Sequence, residues 1–421
     1  MGIHNIWQEY GFSRNPYHTV HLGVSEDDSK LYVNRELLED QLGSFLLSED
    51  RGAIFVEGPV GVGKTSFVNQ TQYLIMKQHN SAILPAQRVV EVQNNSTATD
   101  ILFSILGGVL RSLAALSPDC VKKKGYTEVE GYLRKTHIIS WNASAGIAGF
   151  GGGVSRTKTP TEPVTVPLQT IQSLFEETTR MAAEAGFKKI TVLINNLDNV
   201  EEEHFFQILH DVRDTLLDRT GWLHILIGPT GIRNSLGSNR NHRRISEKIT
   251  GTVIKLAPHS LRDVHRILEK RVECFRLSSN KKAPVPHEVI NTLYKASGGE
   301  IRYILNRASD IAGIVARDIP ESTEIEKDLA YAALHRIVAE EISSLGLTDR
   351  QQNFLKKLTE IGSAQSRDFK EYDLKSAQSM SAYLVKFHDR SLLELTRSGK
   401  QRIYTPRGDV ALFFKGTDSL L

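Results

Sequence analysis

The sequence predicts an α/β fold built around a phosphate-binding loop, followed by an all-helical unit and a small mixed unit at the carboxyl end. Three observations carry this expectation. The run Gly58-Pro-Val-Gly-Val-Gly-Lys-Thr65 fits the pattern GxxxxGK[ST]. It lies between an apolar strand candidate and a helix candidate, the order in which such a loop works. Further short apolar runs then alternate with helix-length segments until about Leu256, where the strand pattern stops.

The chain has 421 residues, enough for two to four domains and a sizeable core without covalent staples. Cys120 and Cys274 stand far apart with no second Cys or His at ligand spacing, so they read as two reduced thiols in a reducing cytoplasm. No run reads as 18 consecutive apolar residues. The first residues lack a basic-then-apolar pattern, and Ile6 occupies the Ser/Thr position of an acylation motif. The expectation is a protein without a membrane partner. A net charge of +3 argues nothing about nucleic acid by itself.

Residues 1–50 form an entry segment that ends in the amphipathic run RELLEDQLGSFLL, with apolar positions at helical spacing. Residues 51–256 form the phosphate-loop core. Its strands are RGAIFVEGP, the run at 88–93, the run at 188–194 and the run at 223–228; residues 64–76 and 168–186 read as helices. This alternation argues for a mainly parallel sheet covered on both faces. Residues 140–167, rich in glycine and small residues, break the rhythm and read as a projecting hairpin or flexible loop. They are either a bland surface insertion or a contact element, with Arg156 and Lys158 for phosphates. Residues 257–346 hold four successive helical candidates, and 347–421 mix helices with two short strands around Gly399.

Glycines at 58, 61 and 63 let backbone donors close around phosphates, while the following helix turns its positive end towards them. The cradle comprises Gly58, Pro59, Val60, Gly61, Val62, Gly63, Lys64, Thr65 and Ser66. Lys64 belongs beside the β and γ phosphates of ATP, and Thr65 offers its hydroxyl to Mg2+. Hydrolysis also needs an acidic arm, on a second strand, to hold the metal and position water. Here that strand ends Ile194-Asn195-Asn196-Leu197-Asp198, with two amides where carboxylates are expected. An amide orients water but neither adds negative charge nor accepts a proton. Hydrolysis is therefore expected to be slow, unless Asp198 supplies the missing charge as a second metal ligand. Glu201, Glu202 and Glu203 read as an acidic helix start. Asn94 and Asn95 are either turn residues or sensors of the reaction water, and Thr230 is either a sensor of the γ phosphate or an ordinary loop residue.

With these motifs, residues 30–415 resemble an AAA+ ATPase of the origin-recognition and Cdc6-like group, which includes related archaeal, bacterial and mobile-element ATPases. LYVNRELLEDQLGSFL resembles that group's "FVGRE" entry segment, with Asn34 in place of glycine; GPVGVGKTS matches Walker A, and VLINNLD is a degenerate Walker B. The resemblance implies a sensor at Thr230 and, in GGEIRYILN, a second sensor arginine at Arg302. It also implies an arginine finger in NRNHRRISEKI, with Arg244 preferred over Arg240 and Arg243, that reaches a neighbouring subunit's site. A homo-oligomer bridged by nucleotide follows from such a finger.

From Leu347 onward thirteen Lys/Arg stand against nine Asp/Glu. LTDRQQNFLKKLTEIG begins with a Thr348 cap, and SAQSMSAYLVKFHDRSLL follows as a second helix before the hairpin candidate LLELTRSGKQRIYTP. This order resembles a winged helix-turn-helix. The resemblance places Lys375, Ser376, Gln378 and Ser379 at the start of a recognition helix, and Arg397, Lys400 and Arg402 along a wing over double-stranded DNA. Two functions follow. One is an ATP-dependent DNA-binding protein that assembles on DNA and recruits or regulates a partner machine. The other is a signalling or antiphage-defence ATPase whose winged helix and 140–167 insertion bind a protein effector.

Overall fold

A computed structural model describes residues 5–87, 89–135, 166–238, 242–319, 324–398 and 401–415. Most of the expected 140–167 insertion lies outside these residues, as do Arg88, Arg156, Lys158, Arg240 and Lys400.

A parallel sheet organises the first half of the chain. Its strands are β1 (Arg51–Glu57), β2 (Ile83–Pro85), β3 (Val90–Glu91), β4 (Lys189–Asn195), β5 (Trp222–Gly228) and β6 (Ile249–Lys255), in the order β2-β4-β5-β1-β6 with β3 also paired to β4. Every residue of β5 and six of seven in β1 are buried. Helices on both faces remove such inner strands from water, so they read as continuous apolar runs. The pairs Glu57↔Gly228 and Ile194↔Leu226 bring the carboxyl ends of β1, β4 and β5 to one edge, where parallel α/β sheets bind ligands.

Two short helices, α1 (Ile6–Glu9) and α2 (Glu26–Leu31), precede α3 (Glu36–Ser48). The sheet connections carry α4 (Lys64–Gln78), α5 (Ala98–Leu116), α6 (Lys124–Lys135), α7 (Leu168–Glu184), α8 (Glu202–Val212), α9 (Ile232–Ser238) and α10 (Arg243–Ser246). Helices α3 and α4 cover one face through Leu42, Leu46, Phe67 and Val68; α5 to α8 cover the other. On that second face Trp222 packs against Phe175, and its indole N–H donates to Thr179 Oγ1 at 2.8 Å.

Beyond β6 the chain is helical, as expected: α11 (Leu261–Phe275), α12 (His287–Ser297), α13 (Ile301–Asp318) and α14 (Lys327–Ser344). The carboxyl-terminal unit follows with α15 (Asp349–Ile361), α16 (Ala377–Asp389), the antiparallel hairpin β7 (Leu393–Ser398) and β8 (Gln401–Pro406), and α17 (Gly408–Lys415). One continuous core joins α11–α14 to this unit, and the amino-terminal residues Tyr10, Phe12 and Tyr17 are buried in it. Tyr10 Oη donates to the Ala312 carbonyl at 3.2 Å, and Tyr17 Oη accepts from the Val285 N–H at 3.0 Å.

Several local expectations change. The strand expected at 88–93 shrinks to Val90–Glu91. Strands β2 and β6 and helix α17 carry no strong sequence signal. Of β6 only Ile249 and Ile254 are buried, because it is an edge strand, and Thr250, Gly251 and Thr252 leave it without an apolar run. A helix long and apolar enough to cross a membrane is present after all: α5 spans 19 residues with mean hydropathy 1.5. Here most of it packs in the core between the sheet and α7 and α8.

Candidate nucleotide site

The turn from β1 into α4 makes the phosphate loop. Gly61 (φ +78°) and Gly63 (φ +91°) adopt left-handed conformations that a side chain would strain, and Gly63 caps α4 from that conformation. At Gly58 an added Cβ would sit 2.6 Å from the Leu256 carbonyl, so the loop's first position has no room for one. Residues Pro59 to Phe67 line one wall of a cavity, with Asn195, Asn196 and Asp198 on the second wall and Arg302 on the third.

Lys64 is buried where the walls meet. Its ammonium donates to the Gly58 carbonyl at 2.7 Å, the Pro59 carbonyl at 3.0 Å and Asp198 Oδ2 at 3.3 Å. Burial pulls the Lys64 ammonium down and pushes the Asp198 carboxyl up, and each charge opposes the shift in the other. Asp198 Oδ1 is buried with no hydrogen-bond partner among the described residues. A lone acceptor beside a phosphate cradle fits a cation ligand. Asn195 Nδ2 approaches Thr65 Oγ1 at 3.3 Å, and because the two ends of an amide are nearly isosteric, its carbonyl can take the same place. Asn196 lines the cavity in a left-handed conformation (φ +70°), which Asn tolerates better than most side chains. Thr65, Asn195 and Asp198 are the hydroxyl, amide and carboxylate that would hold Mg2+ here. Such an ion would shield the phosphates and orient water; the set holds one negative charge where two are usual.

The remaining wall is apolar and suits a flat base. Val20, Leu22, Leu31, Val33, Ile267 and Leu305 come from the amino-terminal segment and the helices beyond the sheet. Hydrogen bonds tie that segment to α4: the Leu22 N–H donates to Ser66 Oγ at 3.0 Å, and Asn69 Nδ2 donates to the Leu22 carbonyl at 2.8 Å. His259, at the same cavity, is pushed down to about 4 by burial and by Arg35, and is neutral.

Two positioning residues lack an expectation from sequence. Arg35, which also lines the cavity, donates to the Ala257 carbonyl at 2.8 Å and to the Val62 carbonyl at 3.4 Å, bracing the phosphate loop. The arginine of the VNRE match was the available signal. Glu57, buried at the end of β1, accepts from the N–H groups of Gly231 and Arg233, each at 2.8 Å. A carboxylate immediately before Gly58 was its only trace in sequence.

A family model described as the KAP family P-loop domain matches residues 41–297. The chain belongs to the KAP family of P-loop NTPases. No curated protein matches it. Similar solved structures include Cdc6p from Pyrobaculum aerophilum, at 12% identity over 97% of this chain and 98% of that one, with a TM-score of 0.44. The Aeropyrum pernix ORC1 protein in complex with DNA is similar at 11% identity, with 96% of each chain covered and a TM-score of 0.45. A Walker-type ATPase of Pyrococcus abyssi is similar at 13% identity over 95% of this chain and 99% of that one, with a TM-score of 0.49.

In this KAP-family chain the other expected residues fall as follows. Thr230 lies in the turn between β5 and α9, outside the cavity lining; its neighbours' N–H groups point to Glu57. Arg244 is exposed on α10, and Arg243 beside it pairs with Glu247 at 3.2 Å. Asn94 Oδ1 accepts from the Glu201 N–H at 3.0 Å, a structural turn contact, and Glu202 and Glu203 open α8 as an acidic first turn. Ser376 and Ser379 form a reciprocal cap on α16, so both hydroxyls are engaged within the chain. Lys375 and Gln378 are exposed beside that cap, and Arg402 is exposed on β8 opposite Arg397.

Proposed function

We propose that this chain is an ATP-binding switch of AAA+ type that assembles through nucleotide-bridged contacts and hydrolyses ATP slowly. The observation that carries the reading is the site's mismatch. The loop, Lys64 and Thr65 form a full phosphate cradle, whereas Asn195 stands against Thr65 where a metal-binding carboxylate is usual. Asp198 beside Lys64 supplies the remaining acid and is the proposed second Mg2+ ligand. Arg302, at the start of α13, is the proposed γ-phosphate sensor, and Arg244 is the proposed finger into a neighbouring copy.

In this reading residues 257–346 act as a lid and 347–421 as a winged helix-turn-helix on double-stranded DNA. The order α15, α16, hairpin supports that assignment, as do exposed Lys375, Gln378 and Arg402. With Ser376 and Ser379 engaged in a cap, the basic side chains carry the contact to phosphates, which does not imply base reading. A cytoplasmic setting accords with the free thiols of Cys120 and Cys274. The engaged serines also favour the second reading, a signalling or defence ATPase whose winged helix binds a protein effector.

Titration of fluorescent duplex DNA at two salt concentrations, with and without ATP, separates the two. DNA binding that ATP strengthens and salt weakens is expected, and Lys64→Ala is expected to abolish the ATP effect and ATP-stabilised assembly. No DNA binding in any condition would favour the effector reading. Unchanged nucleotide affinity in Lys64→Ala would sink both.

A further inference from the structure

A second cavity, about 670 Å³, shares Val60 and Arg302 with the nucleotide cavity. Its far wall is the carboxyl-terminal unit, through Leu392, Arg407 and Asp409. The phosphate loop, the start of α13 and the last unit of the chain therefore meet around one space. Two contacts hold them there.

The first is a dock. Asp409, on the first turn of α17, accepts from Tyr303 Oη at 2.8 Å, Arg307 Nε at 2.8 Å and Arg307 Nη2 at 2.6 Å. Gly408 lies against the Tyr303 ring so closely that an added Cβ would come within 2.5 Å of Cζ. The second contact is at the loop. Glu300, the residue before α13, packs its carboxyl group against Gly61, where a side chain at Gly61 would overlap it, and the Arg302 N–H donates to the Gly61 carbonyl at 3.4 Å. The carboxyl-terminal unit also brings a carboxylate within electrostatic reach of the loop. Glu394, half-buried on β7 opposite Thr405, feels the charges of Arg407, Lys64 and Asp198. Arg407 donates its N–H to the Leu392 carbonyl at 3.0 Å, and its Nε has no hydrogen-bond partner among the described residues.

Both carboxyl groups are uncomfortable. Burial pushes Glu300 up to about 7, with Glu394 adding to the shift while Arg407 and Arg302 oppose it. Burial also raises Glu394, against the pull of Arg407 and Lys64. A triphosphate seated by the backbone of Gly61 and Gly63 would bring several negative charges beside this pair. It would also draw Lys64 and Arg302 towards its own oxygens, away from the carboxylates they now balance.

We propose that Glu300 and Glu394 form a carboxylate latch through which the docked carboxyl-terminal unit senses a triphosphate, so that ATP loosens the docking of the hairpin and α17. The inference rests on nucleotide binding at the phosphate loop. By linkage, loosening the dock strengthens ATP binding by the same factor. ADP lacks the phosphate that would reach Arg302 and acts less.

The test uses the full chain, a non-hydrolysable ATP analogue and ADP, with two readouts: nucleotide affinity and backbone hydrogen exchange across α17 and Arg407. In the wild type the ATP analogue is expected to speed exchange there more than ADP does. Glu394→Gln and Glu300→Gln are each expected to tighten the ATP analogue about fivefold, ADP less, and to blunt the exchange response. Asp409→Asn, on the far wall of that cavity, is expected to speed exchange without nucleotide and to tighten the analogue. The latch is overturned if the analogue binds the wild type and α17 exchange stays the same, or if the Gln variants leave the affinity unchanged or weaken it. A wild type that binds no nucleotide would overturn the nucleotide reading itself, and the latch with it.

Discussion

In the proposed function Asp198 and Asn195 divide between them a task that two carboxylates usually share. Asp198 holds Lys64 through one oxygen and keeps the other free, while Asn195 faces the Thr65 hydroxyl as an amide. Opposite substitutions should therefore act in opposite directions. Asn195→Asp puts a charge beside Thr65 and is expected to raise Mg2+-dependent turnover by about tenfold, whereas Asp198→Asn is expected to lower it on the order of 100-fold. Steady-state phosphate release against Mg2+ concentration checks both; equal turnover in wild type and Asp198→Asn would remove that carboxylate from the mechanism. Legibility at this scale follows chain distance. The loop and the amide pair could be read because each is a short contiguous motif. Glu57 and Arg35 could not, since their partners, Gly231 and Ala257, lie more than 150 residues away in sequence and only the folded sheet brings them together.

Elements were legible where local chemistry dictates them. Thr348 caps α15 as its sequence indicates: its Oγ1 accepts from the Gln351 N–H at 3.4 Å, and Gln351 Oε1 returns an acceptor to the Thr348 N–H at 3.1 Å. Thr348→Ala is expected to cost about 1 kcal/mol, measured as a shift in urea unfolding of the whole chain, with Thr348→Ser close to neutral. Helices α11 to α16 carry apolar residues three and four apart and could be found from that spacing alone. Strand β6 and helix α17 could not. Their short apolar stretches gain meaning from β1 on one side and from Tyr303 on the other, and neither neighbour is visible from within the segment.

At the scale of the molecule, the amino-terminal residues do more than lead into the sheet. Tyr10, Phe12 and Tyr17 are buried among α11, α12 and α13, while Leu22 and Gly23 are bonded to α4. This strap spans the sheet and the helices beyond it, and it supplies a wall of the nucleotide cavity on the way. Tyr17→Ala, which removes a fully buried ring and its bond to Val285, is expected to cost about 3–5 kcal/mol. Calorimetry should show the helical part unfolding earlier. A transition unchanged by the substitution would mean that the strap contributes little. Hydrophobic periodicity gave no hint of this arrangement, because the strap pairs a few aromatic residues with a surface made 268 to 302 residues later.

The carboxylate of Glu57 takes both N–H groups from the turn after β5. Two hydrogen bonds thereby tie the residue that launches the phosphate loop to the turn that carries Thr230. A displacement of the residue that precedes Gly58 therefore has a hydrogen-bonded route to the first turn of α9.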